Sequence, residues 1–297
     1  MFCQDWSFVK SMTDTPYKIA TMANELIAFS PVAIRLCDII DDKHANADSI
    51  AFVIQQDAAL TSTILRLANS PYYGFSQEIA AINDAVSRIG VREVYRMALS
   101  VSAAESFANI PTTLITMEDF WSHSLLCAFS AQELAKEFHL KSNGSIYAAG
   151  LLHDIGQLVL YANRPEQSSE VLEQCINSFE TADQSIVEGE IFGFTHEHVG
   201  LELANLWNFP SLLKECIQFH HHPENAIAHK KEVMLIHTSN IFSVLIEIQS
   251  DNLDDAPPMD ESVRDMFHGQ PEKIKKISQR IEKKYQENKD IFLNTIL

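Results

Sequence analysis

The run Leu151-Leu152-His153-Asp154-Ile155-Gly156 sets an imidazole beside a carboxylate, directly after an apolar stretch from Ile146 to Leu152. Borderline and hard divalent cations accept that pair of donors. More histidines follow at His196, His198, His220, His221 and His222, so the chain carries the raw material of a metal centre. A structural reading stands beside it. His153 and Asp154 can bond each other and cap helix ends in the core, because buried polar groups require partners. The residues by themselves leave both readings open.

Spacing sorts the histidines. His196 and His198 are two apart and cannot face one point from a helix, so His196 is the candidate and His198 is assigned to the surface. His220, His221 and His222 precede Pro223 at the end of an apolar helix, where an imidazolium is electrostatically favoured; His222 is read in that way. His123 lies among Trp121, Leu125 and Leu126 and, taken alone, reads as a core histidine. Core packing is also the expectation for His237, while His44, His139, His229 and His268 have no constellation around them. No phosphate-binding loop, dinucleotide glycine run or serine-nucleophile elbow is present.

The elements that must position these residues are helices. Apolar residues recur at three- and four-residue intervals in almost every periodic segment. Helices are expected from Pro31, from Asp48 to Ile54, from Ala58 to before Pro71, and over Ile82–Ile89 and Val91–Phe107 with Gly90 between them. Pro111-Thr112-Thr113 marks a boundary candidate. Further helices are expected over Asp119–Phe138, through the His153-Asp154 pair, and over Pro165–Phe179, Ser185–Phe192, His196–Leu206, Leu212–His222 and Val233–Ile248. Asp251 to Asp260, with Pro257-Pro258, reads as an acidic linker. The tail from Pro271 places Ile274, Ile277, Ile281 and Tyr285 on one face and reads as a docking helix with a solvated charged side. Tyr72, Tyr73 and Phe75 read either as turn anchors in the core or as an exposed aromatic patch.

Composition narrows the classes of function. With 22 Lys and Arg against 40 Asp and Glu, the formal charge is -18, which disfavours a nucleic-acid partner. The helix-turn-helix-like spacing near residues 47–69 and 82–107 lacks a basic face, so bundle packing explains it better. Five scattered cysteines without paired spacing imply reduced thiols and a cytoplasmic protein rather than a disulfide framework. No run reaches the ~18 apolar residues of a membrane helix.

Several segments together resemble the HDOD modules, relatives of HD-type phosphohydrolases found in bacterial signalling proteins. In the first half these are Pro31-Val32-Ala33-Ile34-Arg35-Leu36, Gln56-Asp57-Ala58-Ala59-Leu60-Thr61, Ile64 to Ser70, Tyr72-Tyr73-Gly74 and Ile82 to Val86. In the second half they are Phe120-Trp121-Ser122-His123-Ser124, Ala149 to Gly156, His196-Glu197-His198-Val199-Gly200 and Trp207-Asn208-Phe209-Pro210. The resemblance implies an all-α fold, with an N-terminal helical bundle packed against an HD-like helical bundle. It spans residues 19–248, divided into 19–110 and 117–248, between an N-terminal segment 1–18 and a linker with charged helix at 249–297.

Carried over residue by residue, the motif places His123, His153, Asp154, His196, His220 and His221 as metal-site residues, for Fe, Mn, Ni, Zn or Mg. Two positions depart from the catalytic pattern. Gln157 stands where catalytic relatives commonly carry lysine, and Asn240 aligns with an aspartate of the last helix. The resemblance therefore implies a non-catalytic output or adaptor module acting on signalling proteins. A metal-dependent phosphohydrolase of a nucleotide or cyclic dinucleotide is the alternative.

Overall fold

Pro16, Pro31, Pro165 and Pro271 each open a helix in the computed structural model, where the missing N–H is not needed and the fixed φ suits the first turn. The structure describes residues 14–296 apart from 26, 28, 41, 43–45, 112, 142–143 and 178–182. Cys3, His44, Thr112, Phe179 and most of the expected N-terminal segment lie outside the described residues. Every regular element among those described is helical, and the fold is all-α as expected.

The first half runs α1 (Pro16–Asn24), α2 (Pro31–Ile39), α3 (Ala47–Ile54), α4 (Ala58–Ala68), α5 (Ile82–Ile89) and α6 (Val91–Phe107). The second half runs α7 (Met117–Leu134), α8 (Gly144–Leu152), α9 (Ile155–Asn163), α10 (Pro165–Asn177), α11 (Gln184–Phe192), α12 (His196–Leu206), α13 (Ser211–Phe219) and α14 (Lys230–Glu247). Then come α15 (Glu261–Phe267) and α16 (Pro271–Ile296). Side-chain oxygens of Thr15, Ser30, Asn46, Asp57 and Thr116 accept from first-turn N–H groups and fix where their helices start.

Helices α2 to α6 pack on one another, and α2 and α6 reach α8 of the HD-like bundle. Helix α7 is buried between α8, α14 and α16, while α9 lies along α12. The periodicity does not single out α1, which packs on α9 and α12 of the second half. Its end is tied there: Trp207 Nε1 donates to Asn24 Oδ1 at 2.7 Å, and Phe29 stacks on Trp207 at 5.0 Å. Helix α15, just beyond the acidic segment, is likewise absent from the sequence reading.

The tail docks as expected. Ile274, Ile277 and Ile281 are buried where α16 meets α6 and α7, and Lys284 and Lys273 reach Glu133 and Glu137 of α7 and its following turn. Tyr72 and Phe75 are exposed, with Phe75 stacked on Tyr73, so this cluster is partly a surface. Cys37, Cys127 and Cys216 are buried and, among the described residues, in no disulfide. Among the described residues, no helix is long and apolar enough to cross a membrane.

Candidate metal centre

The His153-Asp154 pair does not sit inside a helix, which corrects the expectation of one continuous element. The two residues form the turn between α8 and α9. Two glycines put this turn where it is. A Cβ on Gly150 would lie 2.7 Å from Ala128 Cα, so α8 runs backbone against backbone with α7. A Cβ on Gly156 would lie 2.0 Å from the His196 carbonyl oxygen and 2.6 Å from Gly200 N, so α9 meets the start of α12 equally closely. The turn is thereby inserted between His123 on α7 and His196 on α12, with His220 arriving from the end of α13.

Asp154, 7% exposed, is the hub. Its Oδ2 lies 3.2 Å from His153 Nε2 and 3.8 Å from His123 Nε2. Its Oδ1 lies 3.0 Å from His220 Nε2 and 3.4 Å from His196 Nε2. Two overlapping donor groups result: Asp154 with His196, His220 and His221, and Asp154 with His123 and His153. All six sequence-predicted residues are thus brought together.

The far nitrogen of four of the five converging rings is held by an acceptor. His153 Nδ1 donates to the Gly150 carbonyl at 2.8 Å, and His220 Nδ1 to the Ile217 carbonyl at 3.0 Å. His196 Nδ1 donates to Glu188 at 2.8 Å, and His123 Nδ1 to Glu247 at 2.9 Å. Carbonyls and carboxylates only accept, so each of these Nδ1 atoms donates, and a ring in its neutral form turns an Nε2 lone pair toward Asp154. Lone pairs facing a carboxylate repel unless a positive charge lies between them.

The polypeptide alone supplies that charge as protons. Burial opposes charging of His153, yet the Asp154 carboxylate outweighs it and lifts the ring well above its usual 6.5. His196 is raised in the same sense, burial being overcome by Glu188 and Asp154. Asp154, which burial would push up, is instead held well below 3.8 by His153 and its neighbours. His221 behaves oppositely: burial and the adjacent His220 and His196 keep it neutral. Even so, His153 Nε2 and Asp154 Oδ1 are buried with no partner in hydrogen-bond geometry. Unpartnered donors of this kind, converging on one point, fit a divalent cation.

A cavity of about 550 Å³ opens onto this centre. Asp119, Asp154, Asp183 and Glu247 line it, with Gln157 and Asn240, and among the described residues no Lys or Arg does. Asn240 lines the cavity, and its Oδ1 is buried and unpartnered. His237, expected in the core, is buried and props the ring system: its Nδ1 donates to the His220 carbonyl at 2.7 Å, and its Nε2 accepts from Asp260 N at 3.0 Å. His198 is exposed as expected and caps α12 by accepting from Thr195 N. His222 lies at the surface beside Ser185. Sequence reasoning missed Glu188, Glu197 and Glu247. Glu188 lies eight residues before His196 across a loop, and no spacing rule connects them; Glu197, which accepts from His221 N at 3.3 Å, is adjacent to a candidate and was the more accessible of the three.

An all-helical protein with a buried, histidine-ringed aspartate at a helix break is one of the HD type. The HDOD domain family profile matches residues 26–223, and the chain belongs to that family. It is 25% identical over 222 residues to an uncharacterized protein of Treponema pallidum (strain Nichols), a match covering 73% of this chain and 42% of that one. The chain therefore spans less than half the length of that relative. Among solved structures it resembles a proposed signal transduction protein from Marinobacter aquaeolei VT8, with a TM-score of 0.73, 21% identity, and coverage of 92% of this chain and 60% of that one. It also resembles a proposed phosphohydrolase from Shewanella amazonensis SB2B, with a TM-score of 0.69, 20% identity, and coverage of 94% and 98%.

Proposed function

We propose that this HDOD chain is a regulatory module of a signalling system, which holds a divalent cation at the Asp154 centre and acts by binding a partner protein rather than by hydrolysis. The observation that carries this reading is the cavity wall: among the described residues it bears four carboxylates and no Lys or Arg, so a phosphate ester meets like charge on its way in. Gln157 and Asn240 point the same way. An amide oxygen holds a doubly charged ion less firmly than a carboxylate, and a glutamine offers phosphate no charge.

His123, His153, Asp154, His196, His220 and His221 would hold the cation. An imidazole-rich set favours Fe, Ni or Zn over Mg, with Mn between them. A bound cation of this kind supplies a Lewis acid that acidifies water. The chain's own residues do the rest: Glu188, Glu247 and the Gly150 and Ile217 carbonyls hold protons at Nδ1 and keep Nε2 aimed inward. Signalling proteins are the expected partners, and the charge of -18 argues against nucleic acid.

A second reading, a metal-dependent phosphohydrolase of a nucleotide or cyclic dinucleotide, is favoured by one observation. Two donor groups share a single carboxylate, an arrangement suited to a pair of ions flanking a transferred phosphoryl group. Elemental analysis of untagged protein purified without chelators, followed by phosphate-release assays with Mn, Mg, Fe and Ni over a nucleotide panel, separates the two. Bound metal without phosphate release supports the regulatory module. Release that disappears in Asp154→Ala overturns it in favour of the enzyme, and absence of any metal overturns the metal-holding part of both.

A further inference from the structure

A second cavity, of about 490 Å³, lies between α7, the end of α14 and α16. Leu126 and Leu245 give it an apolar wall. Ser278, 7% exposed, is among its lining residues, and its buried hydroxyl has no hydrogen-bond partner. A serine within a helix can bond its own preceding turn, as Ser239 and Ser243 do here and Ser124 and Ser168 do not. Ser278 does not, and a buried hydroxyl left open is unfavourable unless something else bonds it.

The rim carries charge of both signs. Lys275 stands on α16, with Glu282 a little further along the same helix and Asp251 on the segment after α14. Among the described residues, none of the three is in an ion pair. All the lining residues except Ser122 and Leu126 lie beyond residue 223, where the family match ends.

We infer that this cavity is an effector site for a small zwitterion of the amino-acid class, linked to the Asp154 centre through Glu247. The ligand carboxylate takes Lys275, its ammonium takes Asp251 and Glu282, and a polar atom satisfies the Ser278 hydroxyl. Concave sites with an apolar wall and a few convergent polar groups recognise ligands in this way. Glu247 makes the link because it lines both cavities, and its Oε1 accepts from His123 Nδ1 at 2.9 Å. Drawing that carboxylate toward a ligand ammonium frees the His123 ring to turn. The linkage deepens the regulatory reading and supplies the input of such a module; the binding itself does not depend on a metal.

The test is calorimetric titration of the full chain with each standard amino acid, using glycerol, glutarate and putrescine as neutral, anionic and cationic controls. At least one amino acid binds saturably while the controls do not, and Ser278→Ala and Lys275→Gln each weaken it by about tenfold or more. Both are small or exposed changes that leave the helix intact, which circular dichroism verifies. Absence of any amino-acid binding, equal binding of a control, or indifference to both substitutions overturns the site. The link is read on metal-free protein as a ligand-dependent shift of the His123 ring resonances, and on metal-loaded protein as a change of about fivefold or more in Mn affinity. An unmoved His123 with an amino acid bound overturns the link alone, and a shifted His123 in a chain that takes no Mn overturns only the metal reading.

Discussion

Glu188 grips His196 twice, its Oε2 accepting from the ring Nδ1 at 2.8 Å and from the backbone N–H at 2.7 Å. A single buried carboxylate thus fixes both the start of α12 and the tautomer of a ring beside Asp154. Removing such an outer partner lowers metal affinity by about 10–100-fold in comparable sites. Glu188→Ala is therefore expected to weaken Zn or Mn binding by that factor, with Glu188→Gln intermediate, in titrations of metal-free protein. Unchanged affinity in both would show that packing alone orients the ring.

Because Asp154 belongs to both donor groups, Asp154→Asn is expected to abolish bound metal altogether. His123→Ala touches only one group and is expected to leave the other loaded. The metal-to-protein ratio after dialysis checks the difference. Equal losses in the two variants would contradict two groups hinged on one carboxylate.

Two glycines offer a matched pair. Gly156→Ala forces a methyl to within 2.0 Å of the His196 carbonyl oxygen, so backbone must move, at a cost of about 1–3 kcal/mol or more. Gly189, inside α11, has open space where a Cβ would go, so Gly189→Ala is expected to stabilise by about 0.5–1 kcal/mol. Urea unfolding of the two variants is expected to give opposite signs.

Glu215 sets a pH dependence away from the metal centre. Its carboxylate accepts backbone N–H bonds from Ile227, Ala228 and His229 and so ties down the entry to α14. Burial would raise this group, but those bonds, led by that from His229, hold its pKa below the usual 4.5. A depressed folded-state pKa stabilises fully above about 4.5 and is lost as pH falls through the folded value. Glu215 is partly exposed, so Glu215→Gln is expected to cost only about 1 kcal/mol at pH 7. The difference from the parent chain is expected to vanish in acid, as measured by unfolding at both pH values.

Much of the fold was legible because its helices announce themselves locally. Pro31, Asp57 and Gly90 mark ends, and Ile274, Ile277 and Ile281 mark a buried face. Helix α1 was not, since Ile19, Ala20 and Ala23 make a short apolar set whose partner, α12, lies far along the chain. The six donors were legible through motif residues. Their supports were not, because Glu188 and Glu247 meet His196 and His123 only after loops and helices have folded. The break at His153-Asp154 was obscured by continuous hydrophobicity through Leu152 and Ile155, which looks like one buried helix.

The family match stops at residue 223, yet α14 brings His237 and Glu247 to the ring system and α16 covers the helix that carries His123. A fragment cut at that boundary would take the six donors and leave behind the groups that aim two of them, together with the apolar cover of α7. Anyone grafting this centre onto another scaffold, or fusing it to a sensor, has to move the tail with it. The transplantable unit is longer than the stretch by which the family is recognised.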